Sequence, residues 1–208
     1  RITTGFKDKY WDSKRKLFAD TPMRDVFSQH TNILAILAEI IKGEEAKAIM
    51  QTVLKDKSLI QSSIYFRYYL QMALVKVGLG NDYLNMLDSW NTQLSLGLTT
   101  WAEQPEPSRS DCHAWGCSPN VEFFRIVLGI QSQSPGFKRI LIAPQLGKLK
   151  KASGKIPHPN GFISVNYQIN GQGEIEAKIS LPHHTSGVFK WKGKEYILKP
   201  GQQTIKAI

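Results

Sequence analysis

The sequence predicts an α+β fold, a set of helical hairpins followed by a small antiparallel β region. Three observations carry this. Apolar residues recur at spacings of three and four as far as Leu128. From Arg139 onward they alternate with a period of two. Between the fourth helical stretch and the last lies an aperiodic segment, TTWAEQPEPSRSDCHAWG at 99–116. The 208 residues, 41% of them hydrophobic, suffice for a sizeable core and for one or two domains. The change of period sets a boundary within 136–149 and gives two domains, 1–138 helical and 139–208 antiparallel β.

The chain opens RITTGFKDKYW, with neither initiator Met nor signal peptide, and its apolar pattern begins at once. A helix entered midway, in a piece cut from a longer protein, is expected there. From Ser28 an amphipathic helix carries Ile33, Leu34, Leu37, Ile40 and Ile41, with Gly43 as its stop. Ala46, Ile49, Met50, Val53 and Leu54 mark a second helix, ended by the polar run 55–58. Ser62 or Ser63 caps a third, which puts Phe66, Leu70, Ala73, Leu74 and Val77 on one face and has Gly78 at its C′ position. Tyr83, Leu87, Trp90 and Leu94 mark the fourth, closed by Gly97. Connections this short make neighbouring helices antiparallel.

After the aperiodic segment, Ser118 as N-cap and Pro119 at N1 start a last helix with Phe123, Phe124, Val127 and Leu128, closed by Gly129. The strands follow: Ile140 and Ile142; Ile163, Val165, Tyr167 and Ile169; Ile175, Ala177, Ile179 and Leu181. The run 170–173, NGQG, and Gly193-Lys194 supply tight turns, so the region reads as antiparallel hairpins.

The formal charge is +10, from 27 Lys and Arg against 17 Asp and Glu. Such an excess raises nucleic acid or an acidic membrane as a partner. The Lys residues are scattered, with only Lys148, Lys150 and Lys151 approaching a patch, and no nucleic-acid motif accompanies them. Neither partner is therefore expected. No run of about 18 apolar residues is present to span a membrane. Two cysteines, Cys112 and Cys117, make no disulfide framework. With His113 they offer C-x4-C spacing, but no second ligand pair follows, and His158, His183 and His184 lack ligand-like spacing. No metal is expected, and the cysteines read as free buried thiols.

The aperiodic segment is where chemistry is expected. It crowds Glu103, Glu106 and Asp111 among Trp101, Trp115, Arg109 and His113. Indole faces cover the apolar side of a sugar ring while carboxylates handle hydroxyls and glycosidic oxygens. A carbohydrate is the expected ligand. Arg109 and Asp111 also suit an ion pair fixing the loop. Trp11, Trp90, Tyr65 and Tyr69 lie on or beside helical patterns and read as core, while His30 sits at a helix start.

The segments LFADTP at 17–22, SQH at 28–30, TTWAE at 99–103, RSDCHAW at 109–115 and PGFK at 135–138 resemble bacterial α-L-rhamnosidases, family 78 of the glycoside hydrolases. The resemblance covers nearly the whole chain. It implies the later helices of an (α/α)6 barrel followed by the C-terminal β-sandwich domain. It also implies release of terminal α-L-rhamnose with inversion, by a general acid from an earlier acidic segment and a Glu general base in a later loop. Glu103 matches that base, with Glu106 as the alternative because Ala102 separates Trp101 from Glu103. His113 resembles a family position at the barrel mouth, where its imidazole donates to a sugar hydroxyl, a structural His being the alternative. From the residues themselves, Trp101 and Trp115 offer stacking platforms, with helix packing the alternative for Trp115, and Arg109 a sugar contact if it is not paired with Asp111. The acidic segment has no counterpart in these residues, so the chain alone is expected to be inactive, to need the preceding part of the same protein, and to self-associate through exposed helix faces. No cofactor is implied, since paired carboxylates need only water. A periplasmic or extracellular setting is preferred to a cytoplasmic one. The alternatives are an (α/α)6 glycosidase for another sugar and a non-catalytic carbohydrate-binding or scaffold module.

Overall fold

The computed structural model describes residues 2–208, and it divides into two compact units, one reaching Ser118 and the other Pro119–Ile208. The first is mostly helical. Helix α1 (Ile2–Tyr10) leads into a short antiparallel pair, β1 (Trp11–Asp12) and β2 (Leu17–Phe18). Helices α2 (Gln29–Leu37), α3 (Gly43–Lys55) and α4 (Arg67–Lys76) follow. A 3-10 turn, Gly80–Met86, leads to α5 (Asp88–Ser95).

Local chemistry accounts for most helix ends. Ser28 caps α2, its Oγ accepting from the Thr31 N–H at 3.3 Å. In α3 the first turn holds Glu44 and Glu45 and the last holds Lys55, which complements the helix dipole. Gly78 and Gly97 stand at the expected C′ positions. At Gly78 (φ +77°) the closing bonds are Leu79 N–H to Leu74 O and Gly78 N–H to Val75 O.

Gly43 is not the stop of α2. The helix ends four residues earlier, where Glu39 adopts φ +58° and the bonds Ile40 N–H to Ala35 O and Glu39 N–H to Ile36 O complete the same motif. The Glu39 carboxylate pairs with Lys42 at 2.6 Å and Lys76 at 2.8 Å, which holds its pKa down at about 2. Those partners favour a non-glycine residue in a conformation that normally selects glycine. The expected stripe on α2 is also rotated: Leu34 is exposed, and Asn32 is buried in its place. Asn32 clamps the β2 backbone, its Oδ1 accepting from Phe18 N–H and its Nδ2 donating to Phe18 O.

The second unit begins within α6 (Ser118–Glu122), which runs straight into a π-helical turn, Phe123–Val127. Ser118 is the first residue of this helix with αR backbone, not its N-cap. Strands β3 (Ile130–Ser132), β4 (Arg139–Ile142), β5 (Lys151–His158), β6 (Gly161–Ile169), β7 (Ile175–Leu181), β8 (Ser186–Trp191), β9 (Lys194–Leu198) and β10 (Gly201–Ala207) complete the chain. Among the described residues they form two four-stranded sheets, ordered β10-β7-β6-β5 and β3-β4-β8-β9.

The first sheet is antiparallel throughout. The second departs from the hairpin expectation, because β4 and β8 pair in parallel, Ile140 opposite Gly187. The long excursion through β5, β6 and β7 that separates them is what parallel pairing requires. Strand β3 lies upstream of residue 139, where too few residues alternate to announce it. Alternation on β6 and β7 buries Ile163, Val165, Tyr167, Ile175, Ala177 and Ile179. The rings of Tyr167 and Phe189 lie 6.3 Å apart, so both sheets contribute to one core. The Tyr167 hydroxyl is satisfied by the Leu128 carbonyl at 2.8 Å. Gly129 (φ +72°) must be glycine, since a Cβ there would meet the Ala143 carbonyl carbon at 2.2 Å.

Candidate active site

Residues 99–116 fold back on themselves as two limbs joined through the backbone. His113 N–H donates to Trp101 O at 2.7 Å and Glu103 N–H to Ser110 O at 2.9 Å. Helix α5 moors both limbs. The buried Gln93 accepts from Ala102 N–H at 2.8 Å, and the buried Trp90 donates its indole N–H to Gly116 O at 2.7 Å. Gly116 is packed tightly: a Cβ would lie 2.9 Å from Trp101 Cβ and 3.2 Å from Ala102 O.

Glu103 sits at the centre of this loop with its side chain one-fifth exposed. Arg109, which is 79% exposed, donates Nε to Glu103 Oε2 at 2.9 Å and a terminal N–H to Oε1. These hydrogen bonds, with the Arg109 charge and a smaller contribution from His113, hold the Glu103 carboxyl below its usual range despite partial desolvation. The group is a carboxylate at neutral pH. A general base must meet that requirement. The Arg109 guanidinium is thus spent on Glu103 rather than Asp111, correcting the ion pair expected from the sequence. Asp111 is exposed, and it is its backbone carbonyl that serves the loop by accepting from the Thr100 hydroxyl.

An aromatic wall adjoins. Trp115 is 63% exposed; its ring centroid lies 4.8 Å from that of Tyr65 and 5.6 Å from that of His113. Tyr65 meets Tyr69 edge-on at 6.1 Å, Tyr69 meets Phe66 at 5.0 Å, and Phe66 meets His30 at 4.3 Å. Partial burial lowers the His30 pKa, against the nearby Asp20 carboxylate. Asp20 is engaged in turn by the hydroxyls of Ser28, at 2.8 Å, and Thr31. His113, Trp115 and Glu103 are therefore brought together. Trp101 is half-buried on the same limb, holding the loop through its backbone.

Sequence reasoning placed Tyr65 and Tyr69 in the core, whereas Tyr65 is 41% exposed and joins the wall. The available signal was the run YFRYY at 65–69, with three tyrosines crowding one helix start. Trp90 is core as expected. Glu106 lies exposed, accepting from Ser108 N–H at 3.1 Å. Cys112 is exposed and Cys117 half-buried, both free, so the expected buried thiols are not found. His158 is structural: Nε2–H faces Phe137 O at 3.0 Å and Nδ1 accepts from Asn160 N–H. A cavity of about 360 Å³ in the helical unit is lined by Gln29, Gln61, Arg67 and Asp88 rather than by the 99–116 loop.

Residues 129–205 match the bacterial alpha-L-rhamnosidase C-terminal domain. An alpha-L-rhamnosidase of Alteromonas sp. (strain LOR) is 33% identical over a 107-residue alignment that takes in 41% of this chain and 11% of that protein. The fold is shared with the GH78 family rhamnosidase of Bacillus sp. GL1, at TM-score 0.81 and 23% identity over 91% of this chain and 22% of that one. The rhamnosidase of Aspergillus terreus gives TM-score 0.83 at 18% identity, over 99% of this chain and 26% of that one. That of Streptomyces avermitilis, solved with L-rhamnose, gives 0.81 at 17%, over 100% and 23%. At under 25% identity, the likeness to these solved structures shows a shared fold. Over residues 129–205 the chain is similar to the C-terminal domain of bacterial alpha-L-rhamnosidases. It spans about a tenth of the curated relative and about a quarter of each solved one.

Proposed function

We propose that this chain supplies the general-base side of an inverting α-L-rhamnosidase. In this reading the helical unit is part of an (α/α)6 barrel, residues 1–138 belong to the catalytic domain, and residues 139–208 are the C-terminal β-sandwich. Glu103 deprotonates a water that attacks the anomeric carbon. Trp101, Trp115 and His113 wall the sugar, and Arg109 orients the base and touches a sugar hydroxyl. The general acid comes from residues outside the 208 and stands roughly 6.5–9.5 Å from Glu103, leaving room for the water. The observation that carries this is the ionised, one-fifth exposed Glu103 carboxylate beside the Trp115–Tyr65–His113 wall. No cofactor takes part. The substrate is a rhamnose-containing glycoside.

The test is made in the parent polypeptide with an aryl α-L-rhamnoside. E103Q removes turnover and E106Q retains it, while proton NMR of the first product shows β-L-rhamnose. Full activity in E103Q, or α-L-rhamnose as first product, overturns the reading. The 208-residue chain alone is inactive and self-associates, Leu34 and Leu94 being exposed on its helices and Leu96 just beyond the end of α5. A monomer by light scattering at tens of micromolar contradicts the second part.

The two-point grip of Arg109 on Glu103 favours a second reading, in which the pair only fastens the loop of a non-catalytic carbohydrate-binding module. Under it E103Q melts earlier but leaves parent turnover intact. A glycosidase for another sugar is separated from both by activity on a panel of aryl glycosides.

A further inference from the structure

The positive charge of the chain is segregated. Residues 119–208 hold 13 of the 27 basic residues and only 4 of the 17 acidic ones, a net +9, against +1 for residues 1–118. On one face of the β10-β7-β6-β5 sheet lies a groove of about 660 Å³ that crosses all four strands. Strand alternation decides what lines it. Ser153, Asn166, Lys178 and Thr204 face one another across the four strands in one row, and Lys155, Ser164, Ser180 and Gln202 in the next. This is a floor of hydroxyls and amides with two ammonium groups. Strand spacing and rise put the Cα atoms of Lys155 and Lys178 roughly 12 Å apart, two strands over and two residues along.

The next row places Lys151 and Lys206 on the same face beside Glu176, whose carboxylate is shared by Lys178 at 3.5 Å and Lys206 at 3.4 Å. The face therefore keeps a net positive charge. At the other end Phe162, 52% exposed, stands beyond Ser164, with the Lys155 ammonium 3.7 Å from its ring centroid. Dense hydroxyl and amide donors suit sugar hydroxyls, a flat exposed ring suits a pyranose face, and separated lysines suit anionic groups set at intervals along a chain. An extended polymer fits a groove open across a whole sheet.

We propose that this sheet face is a non-catalytic binding site for an anionic polysaccharide, with Lys155 and Lys178 pairing with its acidic groups and Phe162 stacking on a sugar ring. The site lies wholly within residues 151–206, and it stands or falls independently of the role of Glu103.

Isothermal titration of the 208-residue chain tests it, with an oligogalacturonate, a sulfated oligosaccharide, a neutral malto-oligosaccharide and an oligothymidylate as probes. An acidic oligosaccharide binds and the neutral one does not; the tighter acidic probe identifies carboxylate or sulfate ester as the recognised group. K155S/K178S weakens that binding about tenfold, whereas K190S/K194S, with the same charge loss on strands β8 and β9 of the other sheet, stays within about twofold. F162A weakens the acidic oligosaccharide and leaves oligothymidylate unchanged. Equal loss in both double variants would reduce the effect to diffuse charge and overturn the site. So would tighter binding of oligothymidylate than of either acidic oligosaccharide, or the absence of binding by both acidic oligosaccharides.

Discussion

Arg109 closes on both carboxylate oxygens of Glu103, so a residue four-fifths exposed lowers the pKa of one whose side chain is four-fifths covered. The pair binds the two limbs of the loop and fixes the orientation of the carboxylate. It also lowers the basicity of the group proposed to take a proton from water. A hydrogen bond to the charged form favours that form.

Removing the guanidinium raises the Glu103 pKa toward its ordinary value. Carboxyl carbon NMR titration of the 208-residue chain reads this directly, wild type against R109A. On the proposed reading, the same change in the parent polypeptide moves the acid limb of kcat/KM to higher pH, because a base with a raised pKa is protonated sooner as pH falls. An unmoved Glu103 titration would show that the pair does not persist in solution.

G116A drives a methyl group into Trp101 Cβ and Ala102 O. Neither atom is the end of a flexible side chain, so the limb carrying Glu103 must shift. Overpacking of this kind costs roughly 1–3 kcal/mol. The melting temperature falls, and the fluorescence of Trp101 and Trp115 changes with it.

Glu39 supplies a pH-dependent contribution. Its folded pKa of about 2 lies below the ordinary 4.5, so the stabilisation is complete above that ordinary value and is lost as pH falls from about 4.5 toward 2. E39Q is therefore less stable than wild type at neutral pH and converges with it in acid. E39G also loses the ion pairs but relieves the left-handed backbone, which is worth about 1 kcal/mol relative to E39Q. Thermal melts at about pH 7 and about pH 3 separate the two effects; equal melting of E39G and E39Q would remove the conformational one.

Y167F deletes the hydroxyl that satisfies Leu128 O and leaves that acceptor without this partner. The cost is about 1–3 kcal/mol. Burial also pushes the Tyr167 phenol well up, so it remains neutral through the alkaline range, and an ultraviolet phenolate titration counts one late tyrosine that Y167F removes. Loss of stability without the change in titration would separate the two claims.

What the sequence made legible follows from how local each signal is. Ser28, Gly78 and Gly97 end helices through bonds to residues three to five away, and all three were readable. Glu39 was not, because its left-handed backbone is accompanied by an ion pair with Lys76, 37 residues distant. The three alternating strands were legible, but the parallel pairing of β4 with β8 depends on a partner more than forty residues on. In the loop, composition singled out the residues that converge. It did not show that Arg109 turns to Glu103 rather than Asp111, since both acids lie within reach along the chain. Tyr65 was misplaced because periodicity reports a face, not what lies opposite it.

Helix α5 holds the 99–116 loop by two side chains, Trp90 and Gln93, that grip main-chain atoms at Gly116 and Ala102. Neither hold depends on the side-chain identities between those two points. The thirteen intervening residues thus form a replaceable cassette, which can be exchanged while its mooring stays intact. Substitutions of Trp90 or Gln93 in α5 would in contrast displace the whole cassette at once.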